Sequence, residues 1–440
     1  MPRFFITLLL LLCLAACATT PRPTLTQCTV PGVDRVAVCG TIDVPEDRAH
    51  PQGRHIALNV AIVKARENTA ADPLVLLAGG PGQGAVETAR AVVPELEPLL
   101  AHRDLVLIDQ RGTGKSNPLT CAGGFALVEP SRKDDLARCV DELQRKSDLR
   151  QYTTDVAAED LRVAFDALGY KRVNLVAASY GTRAAFVFMR RYPQRVRTAV
   201  LRAVAPSGFN ILADGAANFS RQLDQLVADC AQDAKCSAAY PHLDAELATL
   251  RKDAPMLLHQ TLYALLLSGA SRQSLPYLIH NPEKLAPVEK QVETAVYGTL
   301  PVGMYLSVVC AEDAPRVTSE NKQQMVRAFG EFGESIVDAC ALWPQGRVAP
   351  ELLRTDAIDV PTIIISGAAD PATPPESGQA AMRQLRHGVP VVAPATAHAP
   401  MLPGCAREAV QQFVESGGSA AIDTSCINAL TWGAFAVPPR

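Results

Sequence analysis

The sequence has 440 residues, of which 48% are hydrophobic and 20% are charged, and its formal net charge is −3. This length accommodates one large domain with an inserted subdomain, and the composition is ordinary for a globular protein. The chain contains no block of basic residues, so nucleic acid is not an expected partner.

The first residues have the pattern of an exported bacterial lipoprotein. A short basic start precedes an apolar stretch that is too short to cross a bilayer comfortably. The stretch ends in a segment that resembles a lipobox, which predicts a signal peptide over residues 1–16, lipidation of Cys17 and a tether that ends at residue 27. The residue after Cys17 is Ala18 and not Asp, which resembles the outer-membrane sorting pattern of Gram-negative lipoproteins. We therefore expect a periplasmic protein that is held at the membrane by this lipid alone. The alternative is an ordinary signal peptide cut near Ala18.

Ten cysteines remain once Cys13 leaves with the signal peptide and Cys17 takes the lipid. An exported chain oxidises such cysteines. Proximity along the chain favours five pairs, although sequence alone leaves the connectivity open. These pairs are Cys28–Cys39, Cys121–Cys139, Cys230–Cys236, Cys310–Cys340 and Cys405–Cys426. A zinc site is the competing interpretation, and the lack of any C-x-x-C pair in the sequence argues against it.

Strand and helix patterns alternate from residue 28 to residue 206, which predicts a mostly parallel, doubly wound α/β sheet. The predicted elements are strands near His55–Ala65, Pro73–Leu77, Asp104–Asp109, Val173–Ala177 and Thr198–Val204, and an amphipathic helix over Val156–Leu168. Strand signals mostly vanish from residue 207 to residue 354, which predicts an inserted helical cap. They return at Pro361, so residues 355–440 are the second part of the core.

A glycine-rich segment, Ala78–Gly84, follows the second of these strands. Glycines allow a backbone to approach a ligand closely, and backbone N–H groups stabilise a developing oxyanion. The N–H of Gly80 is therefore a candidate oxyanion donor, and a glycine-rich turn without a ligand is the alternative. The later segment Gly112–Ser116 lacks the first glycine of a phosphate-binding loop, since Asp109 occupies that position.

Ser179 stands between a buried strand pattern and a helix pattern that begins near Thr182. This is the layout of a nucleophile elbow, in which the residues two before and two after the serine must be small. Here they are Ala177 and Gly181, whereas the usual pattern has glycine at both positions. The N–H of Tyr180 is the second candidate oxyanion donor. An ordinary strand-to-helix turn is the alternative.

Asp370 and His398 each follow a later strand pattern. With Ser179 they give the order Ser, Asp, His, which is the order in hydrolases that have a nucleophile elbow. A histidine activates a serine hydroxyl by taking its proton, and a carboxylate orients the histidine. Taken alone, Asp370 before a proline could be a turn residue and His398 a surface histidine. Their shared placement at predicted strand ends favours a Ser-His-Asp triad.

Several of these segments resemble the prolyl aminopeptidase and tripeptidyl aminopeptidase family of serine peptidases, which have the α/β-hydrolase fold. The matching segments are Gly79–Gly82, Asp109–Ser116, Ala178–Arg183, Asp370–Pro375 and His398–Cys405. The resemblance implies removal of residues from peptide N-termini, through a helical cap over the site, and acidic groups that bind the substrate's free amine. No metal or cofactor is expected. Glu312 and, as a second candidate, Asp313 are expected to be those groups. Ala78 departs from the family, since prolyl aminopeptidases usually have histidine there.

The sequence therefore predicts a serine hydrolase of the aminopeptidase type, with Ser179 as nucleophile, His398 as base and Asp370 as its orienting acid. Two alternatives remain: a carboxylesterase that acts on small esters, and an inactive hydrolase fold used for binding. The natural substrate, the residues removed per cleavage and the oligomeric state are not indicated by the sequence.

Overall fold

A computed structural model describes residues 22–67, 70, 72–254, 261–292, 300–399 and 403–438. The predicted signal peptide and Cys17 lie outside these residues, as do residues 400–402 of the family-like segment after His398. Within the described ranges, each helix is too short or too polar to cross a bilayer.

Among the described residues, nine strands form one sheet in the order β1-β2-β3-β5-β4-β6-β7-β8-β9. The strands are β1 Thr26–Val30, β2 Val33–Pro45, β3 His55–Val63, β4 Leu74–Leu77, β5 Leu105–Ile108, β6 Val173–Ala178, β7 Val196–Arg202, β8 Thr362–Gly367 and β9 Gly388–Ala393. Pairing is antiparallel from β1 through β3 to β5 and parallel between all later neighbours. The loops that follow β4, β6, β8 and β9 therefore meet at one edge of the sheet.

Helices cover both faces of the sheet and fill the connection between β7 and β8. They are α1 Ala85–Leu96, α2 Lys133–Gln144, α3 Thr154–Leu168, α4 Tyr180–Arg191, α5 Ala213–Gln232, α6 Ala234–Ala239, α7 Leu243–Asp253, α8 Tyr263–Ser268, α9 Leu275–His280, α10 Leu285–Val292, α11 Val302–Glu312, α12 Ser319–Phe329, α13 Glu331–Ala339, α14 Pro375–Met382, α15 Gly404–Glu415 and α16 Ser425–Asn428. Strand side chains alternate between two apolar cores: Leu175 of β6 packs with α3 and α4, and Val176 packs with α1 and α15. This two-sided burial explains why β6 is apolar at every position except Asn174.

The helices α5 to α13 form the cap, and no strand is present in its described part. Phe219 of α5 packs at its centre, with ring centroids 5.3 Å from both Tyr263 and Phe329. These rings come from three separate helices, so their contact holds the cap together as a second, smaller core.

Five disulfides join Cys28 to Cys39, Cys121 to Cys139, Cys230 to Cys236, Cys310 to Cys340 and Cys405 to Cys426. They are the pairs that chain proximity favours, and such a number of disulfides fits an exported protein.

Two features of the fold differ from the sequence expectation. The first two strands, β1 and β2, were not predicted, because most of their side chains are exposed or half-buried and give no continuous apolar pattern. The helix α4 begins at Tyr180, earlier than the predicted start near Thr182. Ser179 is its N-cap residue, so the helix follows the serine directly.

Candidate active site

Ser179 lies in a sharp turn between β6 and α4. Its backbone has φ 55° and ψ −130°, which a residue other than glycine adopts only when its surroundings hold it there. The Ser179 N–H donates to the Arg202 carbonyl at the end of β7 (3.0 Å), and the Ser179 carbonyl accepts from the Thr182 N–H (2.9 Å). The serine is therefore fixed at the carboxyl edge of the sheet in the geometry of a nucleophile elbow.

The two small residues of the elbow have different reasons to be small. A Cβ atom on Gly181 would lie 2.2 Å from the carbonyl oxygen of Leu77 in β4, so this position requires glycine. Ala177 is fully buried in the core on the α4 side of the sheet. Its methyl group is accommodated there, which explains how the elbow departs from the usual pattern of two glycines.

Asp370 and His398 are hydrogen bonded to each other. The Nδ1 atom of His398 is 3.0 Å from Oδ1 and 2.9 Å from Oδ2 of Asp370. The buried carboxylate also accepts from the Ala372 N–H (2.8 Å), the Thr373 N–H (2.9 Å) and the Thr373 hydroxyl (3.0 Å). Burial by itself raises the pKa of Asp370, but His398 and the backbone donors outweigh burial and hold that pKa below its ordinary value. An ionised Asp370 places the proton on Nδ1 and leaves Nε2 of His398 as the basic atom.

Ser179 and His398 line one cavity of about 430 Å³, which is the size of a small-molecule site. The cap supplies most of its apolar wall, through Phe209, Ile211, Leu212, Tyr263, Leu267, Leu300, Tyr305, Met325, Phe329, Phe332 and Ile336. The site therefore consists of a serine and a carboxylate-bound histidine, covered by apolar and aromatic side chains of the cap.

The predicted oxyanion donors lie at the same cavity. Gly79 and Gly80 line it from the loop after β4, and Tyr180 lines it from the first position of α4. The N–H groups of a helix's first turn have no acceptor inside the helix and carry partial positive charge. The Tyr180 hydroxyl is bound to the hydroxyl of Thr154 (2.9 Å), which holds that ring in the core.

A family profile described as alpha/beta hydrolase fold matches residues 72–404. The chain belongs to the α/β-hydrolase family. Its strand order and cap position agree with that assignment, since the cap is inserted between β7 and β8 and the candidate acid and base follow it.

Curated relatives of this hydrolase include peptidases and an esterase. It is 27% identical over 418 residues to serine protease Hip1 of Mycobacterium tuberculosis, and the alignment covers 80% of this chain and 79% of that one. It is 29% identical over 188 residues to a tripeptidyl aminopeptidase of Streptomyces lividans, and this alignment covers 38% of this chain and 35% of that one. It is 26% identical over 445 aligned positions to carboxylesterase B of M. tuberculosis, and this alignment covers 87% of this chain and 85% of that one. The hydrolase is thus a serine hydrolase with both peptidase and esterase relatives.

The acids expected to bind a substrate amine are engaged elsewhere. Glu312 accepts from the Thr154 N–H (2.7 Å), the Thr154 hydroxyl (2.8 Å) and Arg183 (3.2 Å). Asp313 accepts from Arg183 and from the Ile211 N–H, each at 2.9 Å. Both carboxylates are buried, and neither lines the cavity. In this hydrolase, these acids join the cap to the core, and their binding of a substrate amine stays a prediction that no contact with the cavity supports.

An ion pair that sequence reasoning missed lies in the cavity wall. Glu95 of α1 binds Arg202 at the end of β7, and both side chains are almost fully buried. Burial raises the pKa of Glu95 by more than the Arg202 guanidinium lowers it. The two residues are 107 positions apart, so no local sequence pattern could have paired them.

Proposed function

We propose that this hydrolase cleaves acyl bonds through an acyl-enzyme formed at Ser179. The observation that supports the proposal best is the bond between His398 Nδ1 and the buried Asp370 carboxylate, beside a cavity that Ser179 also lines. This arrangement supplies a nucleophile, a base and an orienting acid in the roles that acyl transfer needs.

In the proposed reaction, the Ser179 hydroxyl oxygen attacks the scissile carbonyl carbon while Nε2 of His398 takes the hydroxyl proton. The N–H groups of Gly80 and Tyr180 stabilise the oxyanion of the tetrahedral intermediate. His398 then protonates the leaving amine or alcohol, and the bond to the leaving group breaks. A water molecule releases the acyl group by the same steps, and the proton returns to Ser179.

We propose peptides with a free N-terminus as the substrates, in keeping with the similarity to a serine protease and a tripeptidyl aminopeptidase. The cover of the cap over the cavity favours a short substrate end over the middle of a long chain. Its aromatic wall favours a bulky apolar residue beside the scissile bond.

A specific observation favours a carboxylesterase as the second candidate. Among the described residues that line the cavity, Glu95 is the sole carboxylate, and it is bound to Arg202. A mostly apolar wall of this kind binds a neutral ester readily, and carboxylesterase B is similar over most of the chain. An inactive binding protein is the third candidate, and it predicts no covalent reaction at Ser179.

The deciding experiment compares two anilide substrates, one with a free N-terminus and one acetylated, together with a nitrophenyl ester. Wild type, Ser179→Ala and Ser419→Ala are assayed side by side, since Ser419 is exposed and serves as the matched control. Cleavage of the free anilide alone, lost only in Ser179→Ala, supports the aminopeptidase. Turnover of the ester alone through Ser179 supports the esterase. Full activity of Ser179→Ala overturns the proposed mechanism, and failure to label with a fluorophosphonate supports the binding protein.

We also propose that Cys17 carries a lipid that holds the hydrolase at the periplasmic side of the outer membrane. The support is the lipobox-like segment of the sequence. Metabolic labelling with a palmitate analogue tests the proposal. Label in wild type that disappears in Cys17→Ser is the expected result, and equal label in both contradicts it.

A further inference from the structure

The end of the chain crosses from the core to the cap. The disulfide between Cys405 and Cys426 fixes its start to α15. Residues 429–438, which we name the C-terminal strap, then run over the cap without regular structure. The Tyr240 hydroxyl donates to the Ala436 carbonyl (2.8 Å), and the Ala436 N–H donates to the Gln273 carbonyl (2.9 Å). The strap is therefore hydrogen bonded to the cap.

One aromatic contact adds to these bonds. The Arg272 guanidinium lies 5.1 Å from the centre of the Trp432 ring, in a cation–π arrangement. Arg272 is buried and also binds the Asp229 carboxylate of α5, and the Gln273 side chain donates to the Gly433 carbonyl. The strap thus packs on Arg272 and Gln273, which are consecutive residues of the cap.

These two residues end a segment that contacts the candidate base. We name residues 261–273 the support segment. The His398 N–H donates to the carbonyl of Leu267 in this segment (3.2 Å), and a Cβ on Gly269 would lie 2.9 Å from the Cβ of Ala397. Tyr263 and Leu267 also line the cavity. The support segment therefore touches both the backbone of the His398 loop and the space for the substrate.

We propose that the C-terminal strap positions His398, with Trp432 and Arg272 as positioning residues. The strap holds the support segment, and the Leu267 carbonyl of that segment holds the His398 loop against Asp370. The inference rests on the proposed catalytic role of His398. It adds that residues about thirty positions beyond the histidine in the chain set its alignment through the cap.

The test uses Trp432→Ala in the full chain, with Trp432→Phe as the conservative variant and Val437→Ala as the control. Val437 lies on the same strap and is exposed. The rate of fluorophosphonate labelling and the kcat and KM for a nitrophenyl ester are measured. Both probes are small, so they report on the alignment of the reacting groups more than on binding along the cavity.

We expect Trp432→Ala to lower the labelling rate and kcat roughly tenfold, because a small misplacement of a catalytic group is costly, with a smaller change in KM. Trp432→Phe restores most of the loss, since phenylalanine keeps an aromatic face for Arg272, and Val437→Ala behaves as wild type. A labelling rate of Trp432→Ala within twofold of wild type overturns the proposal, as does an equal loss in all three variants.

A milder variant keeps the proposal testable if Trp432→Ala does not fold. Tyr240→Phe removes only the hydroxyl that binds the Ala436 carbonyl. We expect it to lower the labelling rate by roughly two- to threefold, in line with the loss of one hydrogen bond, and an unchanged rate overturns the proposal. These results are distinct from a failure of the proposed function, in which Ser179→Ala itself remains active.

Discussion

The Asp313 carboxylate accepts hydrogen bonds of 2.9 Å from both terminal nitrogens of the Arg183 guanidinium, and both side chains are fully buried. Arg183 belongs to α4, directly after the elbow, and Asp313 follows the cap helix α11. This ion pair therefore ties the cap to the helix that carries the candidate nucleophile.

We predict that Asp313→Asn lowers the free energy of unfolding by about 3–5 kcal/mol, because it leaves a buried guanidinium without its full counter-charge. Urea unfolding measures the loss. Asp224→Asn is the matched control, since Asp224 is exposed and pairs with Arg251 at the surface of the cap, and we expect it to leave the unfolding midpoint unchanged. Equal midpoints for wild type and Asp313→Asn contradict the structural role of this pair.

Glu312→Gln separates a structural role from an amine-binding role. Because Glu312 binds Thr154 and Arg183 and does not line the cavity, we expect the variant to change kcat/KM equally for free and acetylated substrates. Steady-state kinetics on the paired anilides give the ratio. A loss confined to the free-amine substrate would restore Glu312 as the amine anchor.

The pH dependence of stability offers a second test of Glu312. Burial raises the pKa of Glu312 above its ordinary 4.5, and Arg183 and Thr154 only partly offset this effect. A raised pKa in the folded state contributes stability below the unfolded-state value, and this contribution is lost as the pH rises through the folded-state value. The stability of wild type relative to Glu312→Gln should therefore fall as the pH is raised above 4.5. Unfolding curves at several pH values measure it, and a rise contradicts the assigned environment.

Asp370→Asn should lower kcat by a factor on the order of 10⁴, because an amide no longer holds the productive tautomer of the histidine. KM should change much less, since Asp370 does not line the cavity. Ester hydrolysis measures both constants, with the exposed Asp423→Asn as control. A decrease of less than tenfold means that another group orients His398.

Gly181→Ala should destabilise the fold by about 1–3 kcal/mol, because the added methyl group meets the Leu77 carbonyl of β4 and the elbow must shift. Its residual folded fraction should also label slowly with a fluorophosphonate. Ala177→Gly is the matched variant: it removes one buried methyl group, costs about 1 kcal/mol and keeps the labelling rate. Wild-type stability of Gly181→Ala would show that the close approach to β4 is not a constraint.

The sequence predicted the core better than the cap. The strands that end beside Ser179 and before Asp370 are short and mostly apolar, because helices cover both of their faces. For the cap, the sequence predicted helices but not how they pack. Its packing joins side chains such as Phe219 and Phe329, which are far apart in the chain. Disulfide partners close to each other in the chain could be anticipated for the same reason that the strands could: the information was local.

The sequence by itself determined the family resemblance, the alternation of strands and helices, and the order of Ser179, Asp370 and His398 at strand ends. These features depend on residues within one element or its adjoining turn. Only the tertiary structure decided that Glu312 and Asp313 face Arg183 rather than the cavity, that Glu95 meets Arg202 in its wall, and that Trp432 lies on Arg272. Each of these contacts joins residues more than 100 positions apart, so folding, and not local pattern, selects the partner of each charge.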